Sequence, residues 1–201
     1  MLGMNNHNRG RKLPAEPLTP DEARRLLAAP SRRAPTGIRN RALLILLWRG
    51  GLRVSEALAL KSKDLDAQQG TIRVLEGKGR KARTIGLDPE SWPILQQWAE
   101  RRAKLGINGD RPFICTLSGT AVSTQYVRAL MPRLARRAGI EKRVHAHGLR
   151  HTMASELRQE GVEMGVISKQ LGHANIATTS RYLDHVCPQA VIQAMAHRKW
   201  S

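Results

Sequence analysis

The sequence contains few cysteines, few acidic residues and no long apolar segment. Its two cysteines, Cys115 and Cys187, are too few for a disulfide framework and are typical of a reducing compartment. The longest apolar run, residues 42–48, has seven residues, whereas a membrane span needs about 20. The first residues, MLGMNNHNRGRK, lack the apolar stretch of a secretory signal. We therefore expect a cytoplasmic protein.

Basic residues outnumber acidic ones about two to one. The 34 Lys and Arg against 16 Asp and Glu give a formal net charge of +18 and an isoelectric point of about 11.3. A surplus of this size favours a polyanionic partner, most often nucleic acid, although ribosome association or mere basicity would also account for it. The hydrophobic fraction of 41% is enough to bury a core, which excludes a fully disordered basic tail.

The chain is predicted to be mainly α-helical with a small antiparallel β-sheet, an α+β fold. The cap and periodicity patterns predict helices at 20–30, 39–49, 56–60, 88–104, 123–138, 148–160, 163–171, 176–184 and 188–197. Alternating residues at 71–75 and 82–87 predict a β-hairpin with a cationic turn at 77–80. Residues 113–115 are a candidate for one more short strand.

The chain is expected to have three parts. Residues 1–17 read as a flexible basic arm, and residues 18–185 as the folded domain. Residues 186–201 hold a short amphipathic helix, which is marginal alone and needs a partner surface. That surface is either the helix's own domain or a neighbouring subunit, since terminal segments exchange easily between protomers.

Five short motifs carry residues suited to phosphoryl transfer: GLRVSE at 51–56, GKG at 77–79, HGLRH at 147–151, LGH at 171–173, and Tyr182. Attack on a phosphodiester builds negative charge on the nonbridging oxygens, which two arginines can clamp. A phenol needs a base or a strong field to lose its proton, and lysine or histidine can supply acid or base. The histidines at 145, 147 and 151 lack the Cys/His spacing of a zinc site, so we expect no metal.

The joint pattern resembles the catalytic domain of the tyrosine recombinase (phage integrase) family. GLRVSEAL, GKGRKAR, HGLRH and LGHANIATTSRY match in order over about residues 18–185, which the resemblance makes the catalytic domain. It implies the integrase catalytic-domain fold and a site-specific DNA recombinase acting in integration, excision or inversion. Strands would be cut and rejoined through a 3′-phosphotyrosyl intermediate, which keeps the bond energy, so the resemblance implies no cofactor. The implied partners are double-stranded DNA with specific recombination sites and further copies of the chain, a dimer on one site and a tetramer in the synapse.

The resemblance assigns a role to each matching residue. Two arginines would stabilise the scissile phosphate, a lysine would be the general acid toward the 5′ hydroxyl, one histidine would be the acid/base toward the nucleophile, a second would hydrogen-bond the phosphate, and a tyrosine would attack. In that order, these residues are Arg53 and Arg150, Lys78, His147, His173, and Tyr182.

Further residues would support these six. Glu56 matches a position that supports the first arginine in the family, and Lys81 competes with Lys78 for the lysine role, although the family's hairpin favours Lys78. Contacts with DNA are predicted for basic residues of the arm, the hairpin and the second half of the chain: Arg9, Arg11, Lys12, Arg80, Lys81, Arg83, Lys142, Arg143 and His151.

The resemblance leaves the biological role open. Most family members have an N-terminal DNA-clamping domain, for which 17 residues leave no room. The chain is then a minimal recombinase, similar in size to the fimbrial-switch invertases, an isolated catalytic fragment without autonomous activity, or a DNA-binding regulator. A type IB topoisomerase would use similar chemistry, but the motif spacing favours a recombinase. The family suggests a bacterial or phage-encoded, nucleoid-associated protein.

Overall fold

A computed structural model describes residues 16–75 and 82–172, which form seven α-helices and three short strands. The helices are α1 (Pro20–Ala28), α2 (Pro35–Trp48), α3 (Val54–Ala59), α4 (Trp92–Lys104), α5 (Thr124–Arg137), α6 (Ala146–Gln159) and α7 (Met164–Leu171), and the strands are β1 (Leu65–Asp66), β2 (Thr71–Val74) and β3 (Arg83–Gly86). None of these helices is long and apolar enough to cross a membrane. The predicted α+β class is confirmed.

Helix α2 forms the centre of the core. Every residue from Gly37 to Trp48 is buried, as expected for a helix that is apolar nearly all round. Helices α1, α4 and α6 pack against it. On α4, Trp98 is fully buried and its indole Nε1 donates to the carbonyl of Phe113 at 2.7 Å. The core is therefore helix packed on helix, with the sheet at its side.

The sheet has the order β1-β2-β3 with antiparallel neighbours. Ile72 pairs with Ile85, and both are buried, while Arg73 and Thr84, the next pair, are exposed. This alternation is the pattern that predicted the hairpin. Strand β3 also packs against α7, so the hairpin base lies beside the end of that helix.

Several element bounds differ from the prediction. Helix α2 begins at Pro35 rather than at residue 39, because proline at the first position of a helix is pre-organised for it. A 3₁₀ turn, Pro89–Ser91, precedes α4. The expected strand at 113–115 is wrong: Cys115 is buried but makes only a single bridge with Ala121. The turn at 77–80 and the helices predicted at 176–184 and 188–197 lie outside the described residues.

Candidate active site

Three of the predicted catalytic residues meet where α3, α6 and α7 converge. Arg53 caps the start of α3, and His147 and Arg150 lie near the start of α6. Both arginines donate to backbone carbonyls at the end of α7, and their charges act on His147. Lys78, His173 and Tyr182 lie outside the described residues.

The turn between α2 and α3 depends on Gly51. Its φ of +63° is in the left-handed region that favours glycine. A Cβ at this position would lie 2.1 Å from Cε of Met153 on α6. Glycine therefore lets this turn approach α6, and its carbonyl accepts a hydrogen bond from Nη1 of Arg150 at 2.6 Å.

Arg150 joins that turn to the end of α7. Its side chain is buried, and its Nη2 donates to the carbonyl of Leu171 at 2.5 Å. The last carbonyls of a helix have no partner within the helix and carry the negative end of its dipole. A buried guanidinium is a good match for such a carbonyl, so Arg150 is fixed from two sides.

Glu56 holds Arg53 at the start of α3. Its carboxylate accepts from the backbone N–H of Arg53 at 2.9 Å and from Nη1 of the same residue at 2.6 Å. Arg83 on β3 approaches from the other side and donates through Nη1 at 3.0 Å and through Nη2 at 2.9 Å. The carboxylate is only 8% exposed. Glu56 was predicted to support Arg53, and Arg83 was predicted to contact DNA. In the structure Arg83 is instead a second partner of the Glu56 carboxylate.

These contacts control the charge of Glu56. Burial by itself raises the pKa of this carboxyl, but the hydrogen bonds from Arg83 and from the Arg53 N–H outweigh burial and lower the pKa to about 2. Glu56 is therefore ionised at neutral pH.

His147 lies on α6 beside the two arginines. Burial lowers the pKa of its imidazole, and the charges of Arg150, His145 and Arg53 lower it further. The ring meets that of His151 edge-on, with 4.7 Å between centroids. A lowered pKa keeps the imidazole neutral near pH 7, the form that can accept a proton.

The sequence analysis missed the role of His145. Its Nδ1 accepts from the N–H of Gly148 at 2.9 Å and caps α6, which fixes the turn that carries His147. The location of His145 just before the predicted helix could have indicated a cap, but histidine is not among the usual capping residues.

The structure gives two of the predicted DNA contacts different partners. Arg83 binds Glu56 and its side chain is 12% exposed. Lys142 bonds to Glu16 at 2.7 Å and Glu22 at 3.0 Å, and these bonds raise its pKa. Arg143 is exposed and His151 is half-buried beside His147, so DNA contact stays a prediction for both. The other predicted contacts lie outside the described residues: Arg9, Arg11, Lys12, Arg80 and Lys81.

The arrangement is suited to an anionic substrate oxygen more than to a metal. Within residues 16–75 and 82–172, no group of three His, Cys, Asp or Glu side chains is placed to hold a metal ion. Two guanidinium groups at adjoining helix ends, with a neutral imidazole beside them, match the geometry and charge of a phosphate.

Solved structures share this fold. The structure of XerA recombinase superposes with a TM-score of 0.82 at 29% identity, over 96% of this chain and 68% of that chain. XerH site-specific recombinase bound to its palindromic difH substrate, a post-cleavage complex, gives 0.77 at 29% identity over 96% and 55%. The fold is therefore that of a tyrosine recombinase catalytic domain.

The sequence comparisons agree with the fold. The chain belongs to the phage integrase family, whose model matches residues 16–187. The tyrosine recombinase XerC of Xanthomonas axonopodis pv. citri is 39% identical over 86% of this chain and 54% of its own length. The tyrosine recombinase XerD of Ralstonia nicotianae is 37% identical over 84% and 56%. The chain spans about half the length of the curated relatives it matches.

The Gly51 turn can be tested with a matched pair of glycines. Gly51 and Gly109 both have positive φ, but a Cβ at Gly109 would meet nothing within 4 Å. Gly109→Ala should cost about 1–2 kcal/mol for the left-handed backbone. Gly51→Ala should cost about 1 kcal/mol more, because the buried end of the flexible Met153 side chain must move within the core. Urea unfolding measures both, and equal losses would contradict the close approach to α6.

The ion pair at Glu56 predicts a pH-dependent stability. The native pKa of about 2 lies below the ordinary glutamate value of 4.5, so the contribution of the ion pair to stability is complete above pH 4.5 and is lost as the pH falls toward 2. Glu56→Gln should destabilise the protein at pH 7 by about 3 kcal/mol. The gap from wild type should shrink at pH 3 in urea titrations. Exposed Glu141→Gln is the control, and a gap independent of pH would contradict the ionised pair.

Proposed function

We propose that this chain is the catalytic part of a site-specific tyrosine recombinase that cuts and rejoins double-stranded DNA. The observation that carries the proposal is the placement of two arginines beside His147. Arg150 donates to the carbonyls of Gly51 and Leu171, and Arg53 donates to the carbonyl of Gly172. Two guanidinium groups brought together in this way can bind one phosphate from two sides.

The charge of the chain supports DNA as the substrate. A net charge of +18 favours a polyanion, and DNA affinity follows from neutralising phosphates with Lys and Arg. The relatives support the same class of reaction, since they are tyrosine recombinases and one structural neighbour is a DNA complex. We propose double-stranded DNA with specific sites as the partner, bound by a homo-oligomer in the bacterial cytoplasm.

The proposed reaction is a transesterification. The phenol oxygen of Tyr182 attacks the phosphorus, the bond from phosphorus to the 5′ oxygen breaks, and a 3′-phosphotyrosyl link forms. The phenol proton passes to neutral His147, and Lys78 protonates the leaving 5′ oxygen. Arg53 and Arg150 stabilise the charge on the nonbridging oxygens, with His173 as a further donor. A 5′ hydroxyl of a partner strand reverses the step, so no cofactor is consumed.

The proposed parts of the chain follow the predicted bounds. Residues 1–17 form a basic arm toward DNA, residues 18–185 the catalytic domain and residues 186–201 a tail that packs on its own domain or a neighbouring subunit. Integration, excision and inversion all use the same cleavage step. The cleavage step is therefore what an experiment should address first.

Capture of the covalent intermediate tests the proposal. A pool of nicked duplexes from the DNA flanking the gene lets the cleaved 5′ end diffuse away and traps the adduct. Wild type should give a protein–DNA species that survives SDS, and Tyr182→Phe should give none. Sequencing the trapped strand supplies the cleavage site.

Tyr126, the other tyrosine of the chain, is the matched control. Its hydroxyl accepts from Nη2 of Arg39 at 2.5 Å and from Nδ2 of Asn40 at 3.1 Å, so it has a structural role, and Tyr126→Phe should still form the adduct. Salt-sensitive DNA binding without any adduct would contradict the enzyme and favour a DNA-binding regulator. An adduct that persists in Tyr182→Phe would overturn the choice of nucleophile.

The lowered pKa of His147 predicts the pH dependence of cleavage. The rate of adduct formation at subsaturating DNA should be constant near neutral pH. It should fall tenfold per pH unit well below the imidazole pKa, because only the neutral ring can accept the phenol proton. His147→Gln should lower the rate at pH 7.5 by about 10²–10⁴-fold and remove this dependence. DNA binding measured at each pH separates the effect from affinity, and an unchanged profile in the variant would exclude His147 as the base.

A further inference from the structure

Arg83 lies at the base of the hairpin, but its side chain is mostly buried against α3. It is the first residue of β3, and its guanidinium turns inward to the buried carboxylate of Glu56. Each amino group meets a different carboxylate oxygen, at 3.0 and 2.9 Å. This forked geometry fixes the orientation of both groups, which a single-point contact cannot do.

The same carboxylate orients Arg53. Oε1 of Glu56 accepts from Nη1 of both arginines, and Oε2 accepts from Nη2 of Arg83 and from the backbone N–H of Arg53. Arg53 is the more exposed of the two, with 34% of its side chain accessible. If the fork from Arg83 is removed, the carboxylate can rotate, and the N–H and guanidinium of Arg53 lose their fixed acceptors.

Gly172, at the end of α7, lies close to both arginines. A Cβ there would lie 2.6 Å from Nε and 2.7 Å from Cζ of Arg83, and its φ is +65°. Its carbonyl accepts from Nη2 of Arg53 at 3.4 Å. The backbone at the end of α7 therefore lies close to one arginine and accepts a hydrogen bond from the other.

We propose that Arg83 is a positioning residue: it orients Arg53 on the scissile phosphate by fixing the carboxylate of Glu56. The inference rests on the proposed function for its catalytic consequence. A contact with DNA would require the guanidinium to leave a buried forked ion pair, which the observed geometry disfavours.

The first test needs no catalysis. In Arg83→Gln, hydrogen exchange at the backbone N–H of Arg53 should become at least about tenfold faster, because its acceptor is no longer held. Amides in the middle of α2 should keep their exchange rates, which shows that the fold is intact. Arg83→Lys retains one donor and should give an intermediate rate, and it replaces Arg83→Gln if that variant fails to fold. Unchanged exchange at Arg53 would overturn the inference.

The second test measures the reaction at the trapped cleavage site. Arg83→Gln should form the adduct about 10–100-fold more slowly at saturating DNA, the size of effect that follows from misplacing a substrate-binding group. On a methylphosphonate linkage a methyl group replaces a charged nonbridging oxygen, so the charge that Arg53 offsets is absent. The ratio of wild-type to variant rates should therefore approach one, whereas a purely structural role would leave this ratio unchanged and overturn the inference.

Arg73→Gln is the matched control. Arg73 lies on β2 and binds a buried carboxylate, Asp64, at 3.3 Å, but it makes no described contact with Glu56. This variant should lose a single contact between an arginine and a buried carboxylate, and it should keep the wild-type rate on both linkages. A similar loss in Arg73→Gln would overturn the inference.

The two proposals fail in different ways. If wild type forms no adduct with any DNA of the pool, the proposed function is wrong, while the exchange rate at Arg53 still decides whether Arg83 orients it. If wild type forms the adduct and Arg83→Gln does so at the same rate, the proposed function stands and the inference about Arg83 is wrong.

Discussion

The site depends on one buried carboxylate shared by two arginines. Glu56 accepts hydrogen bonds from residues that precede α3 and begin β3, and these bonds overcome the cost of burial and lower its pKa to about 2. A buried carboxylate is stable only when such donors surround it. These hydrogen bonds link α3 to the base of the hairpin, and they also support Arg53, the proposed phosphate-binding group.

Arg150 is held in place by backbone carbonyls. It binds the carbonyls of Gly51 and Leu171, which the turn and the end of α7 present to it. Because the turn has a φ of +63° at Gly51, which favours glycine, the carbonyl that holds this buried guanidinium belongs to a glycine almost a hundred residues away. The position of the Arg150 charge therefore depends on the backbone conformation of the turn and on its packing against α6.

Local patterns predicted much of the fold. The cap pattern of Thr19 before Pro20 predicted a helix from residue 20, where α1 begins, and the alternation around Ile72 and Ile85 predicted the hairpin. The prediction was wrong for 113–115, where a short apolar run is buried without strand pairing. A short apolar run alone does not distinguish a strand from a buried loop, and only the packing around Cys115 decides between them.

The sequence by itself determined the residue types of the site, their order, and the surplus of positive charge. These follow from spacing and composition, which need no knowledge of distant contacts. Only the tertiary structure decided which cations meet carboxylates: Arg83 reaches Glu56 across 27 positions, and Lys142 reaches Glu22 across 120. An arginine that binds a phosphate and one that binds a buried carboxylate are the same letter in the sequence. Only the folded structure shows which partner each arginine has, because the partner lies far away in the sequence.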